Sequence, residues 1–145
     1  MGYIKTVKGD IFQSDCEVLV NPVNCVGVMG KGLAFQFKNK FPTMFKEYKK
    51  YCETEVLQLG KPIIIKDGKI PILCFPTKHH WREMTDICNI IKGLEYMDSR
   101  VDEWRYDSYA FPLLGAGEGG VSSELSEQIL KEYISDNVYA EIYVL

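Results

Sequence analysis

Lys78, His79, His80, Trp81 and Arg82 stand in a row directly after the apolar run Ile70–Phe75. A strand end of this kind can hold an amine at the mouth of a cleft. In partly dry surroundings, near other cations, the ammonium form of a lysine is disfavoured and the neutral, nucleophilic amine becomes accessible. The plainer reading is a surface lysine. The paired histidines have no further His or Cys at ligand spacing, so neither a metal nor a cofactor is expected. Trp81 reads as packed on the helix that follows.

Two glycine-rich segments supply a different chemistry. In the first, Asn21 and Asn24 precede Gly27, Val28, Met29, Gly30 and Gly32; the second runs Gly115, Ala116, Gly117, Glu118, Gly119, Gly120. Each lies between an expected strand and an expected helix. Glycine lets a ligand approach the backbone N–H groups, and the helix behind adds partial positive charge, so a diphosphate held between the two loops is the physical reading. Neither segment is a Walker A or a dinucleotide-binding GxGxxG sequence, and tight turns are the alternative. An asparagine amide suits a ribose hydroxyl pair and also closes turns. Asp10, after the first strand, can cap a turn or accept from an exocyclic amine such as that of adenine.

The elements that must position these residues follow from periodicity. Tyr3–Lys8, Cys16–Val20, Pro62–Lys66, Ile70–Phe75, Ser108–Pro112 and Ala140–Leu145 read as about six strands, with Asp67-Gly68 as a hairpin turn. Helices are expected over Gly32–Lys40, Pro42–Thr54 and Thr85–Arg105, and after a cap at Ser122 or Ser123. Strands alternating with helices around one hairpin predict a three-layer α/β/α sandwich with a mixed, roughly six-stranded sheet, as a single domain over residues 1–145.

The composition of the 145 residues, 46% apolar and 26% charged, excludes intrinsic disorder. No apolar run approaches the roughly 18 residues of a membrane span and no leader is evident at the start, so no membrane association and a cytoplasmic location are expected. The five cysteines show no paired spacing and read as reduced thiols. A net charge of −3 argues against a generic nucleic-acid binder, but the sum hides a split. Residues 1–75 carry 11 basic and 7 acidic side chains, and residues 76–145 carry 6 and 13. Lys31, Lys38, Lys40, Lys46, Lys49 and Lys50 hold the basic excess, as a solvated face or as a phosphate-attracting rim.

The segments GDIF at 9–12, VNPVNCVGVMGKGLAFQFK at 20–38, FPTKHHWR at 75–82 and PLLGAGEGGV at 112–121 together resemble macrodomains, in order and spacing, over nearly the whole sequence. The VMGKGLA and FPTK segments are similar to the branch holding the DarG-type DNA ADP-ribosyl glycohydrolases and terminal ADP-ribose glycohydrolase. The resemblance implies binding of ADP-ribose across the strand ends and hydrolysis of its bond to an acceptor. It implies adenine contacts at Asp10 and Ile11, a distal-ribose contact at Asn24, diphosphate contacts in both glycine loops, and a catalytic Lys78.

Three departures stand out. Ala116 and Glu118 replace the Cys and Leu usual in the second loop, Pro22 replaces a Thr, and Gly119 falls where a relative has an acid assisting the lysine. DarG-type proteins also continue into a toxin-binding region, so that function is absent here or lies outside the sequence. The expected partners are ADP-ribose and an ADP-ribosylated substrate, with ADP-ribosylated single-stranded DNA and a cognate ADP-ribosyltransferase as candidates. Glycohydrolysis on a DNA base or a carboxylate ester is the first reading. An ADP-ribose 1″-phosphate phosphatase and a non-catalytic ADP-ribose-binding module are the alternatives.

Overall fold

Side-chain alternation along β2 (Val18–Val23) sets the layers: Val18 and Val20 enter one hydrophobic cluster, Leu19 and Val23 the other. The computed structural model describes residues 3–145. Five more strands join β2: β1 (Tyr3–Lys8), β3 (Ile63–Asp67), β4 (Ile70–Pro76), β5 (Ser108–Pro112) and β6 (Tyr139–Val144). They form one sheet in the order β1-β6-β5-β2-β4-β3, in which only the β3–β4 pairing is antiparallel. The carboxyl ends of five parallel strands therefore share one edge, where ligands of open α/β sheets bind.

Helices cover both faces, which makes the expected α/β/α sandwich. On one side α1 (Gly32–Lys40) and α2 (Pro42–Glu53) bury Phe37, Met44 and Tyr48 against Leu19, Ile72 and Cys74. On the other, α3 (Ile87–Trp104) and α4 (Ser123–Tyr133) pack Ile90, Leu94, Met97, Ile129 and Leu130 on Val20, Leu73, Phe75 and Phe111. Gly93 permits the closest approach, since a Cβ there would stand 2.5 Å from Phe75 Cζ. No helix among the described residues is long and apolar enough to cross a membrane.

Several boundaries differ from the sequence reading, each for a local reason. β2 runs on through Asn21 and Pro22. Thr77 N donates to Val23 O, so the polar groups of Val23 face β4 and those of Pro22 face β5, whose pairing with β2 stops at Leu19 and Ala110. A missing N–H costs nothing there. Helix α3 starts at Ile87 because Asp86 accepts from Cys88 N, and it ends where Arg105 turns to φ +62°. The hairpin turn is Gly68-Lys69, since Asp67 pairs with Ile70. Asp67 instead accepts from Met44 N at 3.0 Å, taking up one of the free donors at the start of α2.

Candidate functional site

The first glycine loop is organised from below by Asn24. Its Nδ2 donates to Val28 O at 2.8 Å, while its Oδ1 accepts from Val26 N at 3.1 Å and from the Tyr48 hydroxyl at 2.8 Å. Burial of that hydroxyl pushes its pKa up, so it stays protonated as a donor. Asn24, expected at the distal ribose, is thus buried and engaged by the loop it starts. Asn21 corrects the sequence reading more sharply. It is fully buried, its Nδ2 lies 3.7 Å from Met29 Sδ, and its Oδ1 has no partner. Met29 too is buried, backbone included.

The glycines divide into two groups. A Cβ on Gly32 or Gly117 would meet nothing within 4 Å, and one on Gly30 would meet only Val28, at 3.6 Å. These three border open space above the strand ends. Gly27, Gly115 and Gly119 instead pack on protein: a side chain at Gly27 would press on the Lys49 stem and one at Gly119 would strike Thr85 Oγ1, while Gly120 is exposed with only the end of the Met84 side chain over it. Side-chain-free approach from open space is thus offered by Gly30, Gly32 and Gly117 rather than by the whole of either loop.

The second loop follows β5 and is fastened at both ends. Val121 N donates to Gly115 O at 2.9 Å, Gly119 O accepts from Thr85 N at 2.9 Å, and the buried Ser126 hydroxyl on α4 donates to Leu114 O at 2.7 Å. Ser122 caps α4 by accepting from Leu125 N. The Glu118 side chain is exposed, away from the packed underside of the loop.

Lys78 joins the loops. It follows β4 by two residues, in a segment tied to the first loop by Cys25 N donating to His79 O at 2.8 Å. Its Nζ donates to Trp81 O at 2.9 Å and to Glu118 O at 3.4 Å, so the amine spans from the segment after β4 to the second loop. The lysine is half-buried. Trp81, expected to pack on the following helix, is 43% exposed and lies between its own neighbours, His80 at 4.9 Å and Arg82 at 4.6 Å. Asp10 caps the 3₁₀ turn Ile11–Gln13 through one oxygen, which accepts from Phe12 N, and Ile11 is buried.

Sequence reasoning missed Tyr48 and Thr85. Helical spacing marks Tyr48 as buried but says nothing of its hydroxyl, and Thr85 Oγ1, buried without a partner beside Gly119, has no sequence signal. Among the described residues no three His, Cys, Asp or Glu side chains gather as a metal site.

Fold and site together define a class: an α/β/α sandwich with two glycine loops at the carboxyl ends of parallel strands, the edge where open α/β sheets bind ligands. The Macro domain family model matches residues 20–130, and the chain belongs to that family. A DNA ADP-ribosyl glycohydrolase of Mycobacterium tuberculosis is 43% identical over 126 residues, which are 84% of this chain and 36% of that protein. The solved macrodomain of Thermus aquaticus DarG superposes with a TM-score of 0.91 at 36% identity, with each chain fully covered. Thermosipho africanus DarTG, solved in complex with ADP-ribose, gives a TM-score of 0.89 at 31% identity over 97% of this chain and 42% of its own. The chain spans well under half the length of the curated relatives it matches.

Proposed function

We propose that this macrodomain binds ADP-ribose in the crevice between its glycine loops and removes it from a modified DNA base through Lys78. The observation that carries the reading is the position of Lys78 Nζ, held on the carbonyls of Trp81 and Glu118 between the segment after β4 and the second glycine loop. The open faces of Gly30, Gly32 and Gly117 suit the diphosphate, and the free oxygen of Asp10 suits an adenine amine. The activity named for the mycobacterial relative supports DNA as the acceptor. A cognate ADP-ribosyltransferase would supply the modified DNA.

The chemistry is a displacement by an amine. Nζ, as the free amine, bonds to the anomeric carbon, the bond from that carbon to the base breaks, and the base nitrogen takes a proton from solvent, which the water that adds later returns. Opening of the ribose ring, with a proton passing from Nζ to the ring oxygen, leaves an iminium. Water adds to that carbon, the carbon–nitrogen bond breaks, and free ADP-ribose leaves with the amine restored. Gly119 excludes an assisting acid at its own position, because any side chain there collides with Thr85.

Replacing Lys78 tests the reading. Lys78→Ala is expected to lower kcat on ADP-ribosylated DNA by at least about a thousandfold while ADP-ribose affinity changes by less than about tenfold. Lys78→Arg is expected to be nearly as inactive, because guanidinium keeps its proton. Borohydride added during turnover should leave a stable adduct on Lys78, found by peptide mass. An active Lys78→Arg enzyme would end the lysine mechanism. Turnover of ADP-ribose 1″-phosphate or of a carboxylate ester, with none on DNA, would reassign the substrate, and binding without any turnover would leave a recognition module.

A further inference from the structure

The charge of this protein is sorted by layer. From Lys31 to Glu53, across α1 and α2, six lysines face two glutamates for a net +4, which leaves −7 on the rest of the chain. The opposite layer is acidic: α3 carries four acids against two bases, and α4 three acids against one lysine. The basic layer is also concave. Lys38, Lys46, Lys49 and Lys50 line a groove between α1 and α2 with Phe45 among them, and Glu53 is the one acid in its lining. Lys38, Lys46 and Lys49 make no ion pair among the described residues, and Lys50 has only Glu47 at 3.9 Å, in solvent.

The groove adjoins the crevice. The Lys49 stem lies against Gly27 of the first loop, and Lys40 Nζ lies 5.0 Å from the Phe12 ring, next to Ile11. Lys38 Nζ rests 4.6 Å above the Phe45 ring, so cation and aromatic surface are presented together. Unpaired lysines beside an aromatic face are the means by which proteins hold single-stranded nucleic acid, charges on the phosphates and rings under the bases.

We propose that the α1–α2 groove is a docking track for the phosphate backbone of a single nucleic-acid strand, separate from the ADP-ribose crevice. The proposal rests on the DNA reading above for its substrate, since the strand would be the one that bears the ADP-ribose. It accounts for a basic surface on an acidic protein and gives the enzyme a grip on its substrate beyond the modified nucleotide. A duplex fits less well, because its bases are stacked away from Phe45.

The test uses an unmodified, fluorescein-labelled dT12 strand, read by anisotropy over a salt series, with the triple variant Lys38→Gln/Lys46→Gln/Lys50→Gln. Lys49 is spared because its stem supports Gly27. Binding by the wild-type protein should weaken with salt, and in the variant the slope of log K against log salt should shrink by about 2, from roughly 0.7 for each lost phosphate contact. KM for an ADP-ribosylated oligonucleotide should rise about tenfold or more, with kcat, turnover of an ADP-ribosylated mononucleoside and ADP-ribose affinity unchanged. If the triple variant fails to fold, Lys46→Gln alone should shrink the slope by about 0.7.

An unchanged slope overturns the proposal. So does equal binding of a polyglutamate peptide, which would mark a surface for acidic protein, or tighter binding of a duplex of the same length. Loss of dT12 binding in a protein with no turnover would uphold the groove while removing the lysine mechanism, so the two readings fail separately.

Discussion

Replacing Asn24 by alanine separates two roles that its position allows. As a direct ribose ligand, Asn24 would matter only to ligands that carry the distal ribose. As the organiser of the first loop, it matters to the loop itself and to everything the loop binds. Asn24→Ala removes three short bonds, to Val28 O, from Val26 N and from Tyr48 to Oδ1, while a fourth, from Val28 N at 3.4 Å, is long enough to add little. At about 1 kcal/mol net for each, the loss comes to about 2 to 3 kcal/mol. It stays near that figure because the Tyr48 hydroxyl keeps a second acceptor, Asn24 O at 2.9 Å, and is not orphaned. With a urea m-value of about 1.5 to 2 kcal/mol per molar, the midpoint should fall by about 1 to 2 M. Calorimetry with ADP and with ADP-ribose then decides the role. The structure leads us to expect both affinities to fall by the same factor, about tenfold or more. A variant of unchanged stability that loses ADP-ribose affinity while keeping ADP affinity would refute the organising role and restore the direct contact.

Two further expectations follow from the geometry. Gly30→Val should reduce ADP-ribose affinity more than a hundredfold with the unfolding free energy within about 0.5 kcal/mol of wild type. Its side chain would enter open space and strain no left-handed backbone, so normal binding would show that the first loop does not approach the ligand. Glu141 lies among hydroxyls: Ser14 and Tyr143 donate to one oxygen and Tyr139 to the other, each at 2.8 Å. Burial raises its pKa, but these hydrogen bonds outweigh burial and hold it below the ordinary 4.5. A folded pKa below the unfolded one adds stability that is present above the unfolded value and lost as pH falls through the folded one. Glu141→Gln should therefore cost about 1 kcal/mol at pH 7 and progressively less below about pH 4.5, as read from thermal midpoints. A constant difference from pH 7 to pH 3 would contradict the assignment.

The elements were legible in the sequence wherever the signal was local. The apolar period of α3 between Ile87 and Trp104 reads as one buried stripe, and Pro42 marks the first turn of α2. Val18, Val20 and Leu19 already alternate as a buried strand must. The strand was cut short at Val20 because Asn21 and Pro22 look like punctuation, and only the end of the β5 pairing shows why proline is tolerated. The turn slipped by one residue because Asp67 is recruited by α2, a helix 23 residues earlier than its acceptor.

By itself the sequence determined the layers, the family and the residue types gathered at the strand ends, because periodicity and loop motifs are properties of neighbouring residues. Tertiary structure decided which of those residues lie open at the surface. Gly30, Gly32 and Gly117 open to solvent while Gly27 and Gly119 lie on Lys49 and Thr85. Asn21 is closed off beneath the loop that its spacing placed in the site. The lysines were visible as a count, but whether they made a scattered face or a groove depended on α1 and α2 lying side by side. The physical reason is common to all three. A side chain's exposure and partners are set by segments distant along the chain, as when Tyr48 holds Asn24 and when Glu118, forty residues away, receives Lys78.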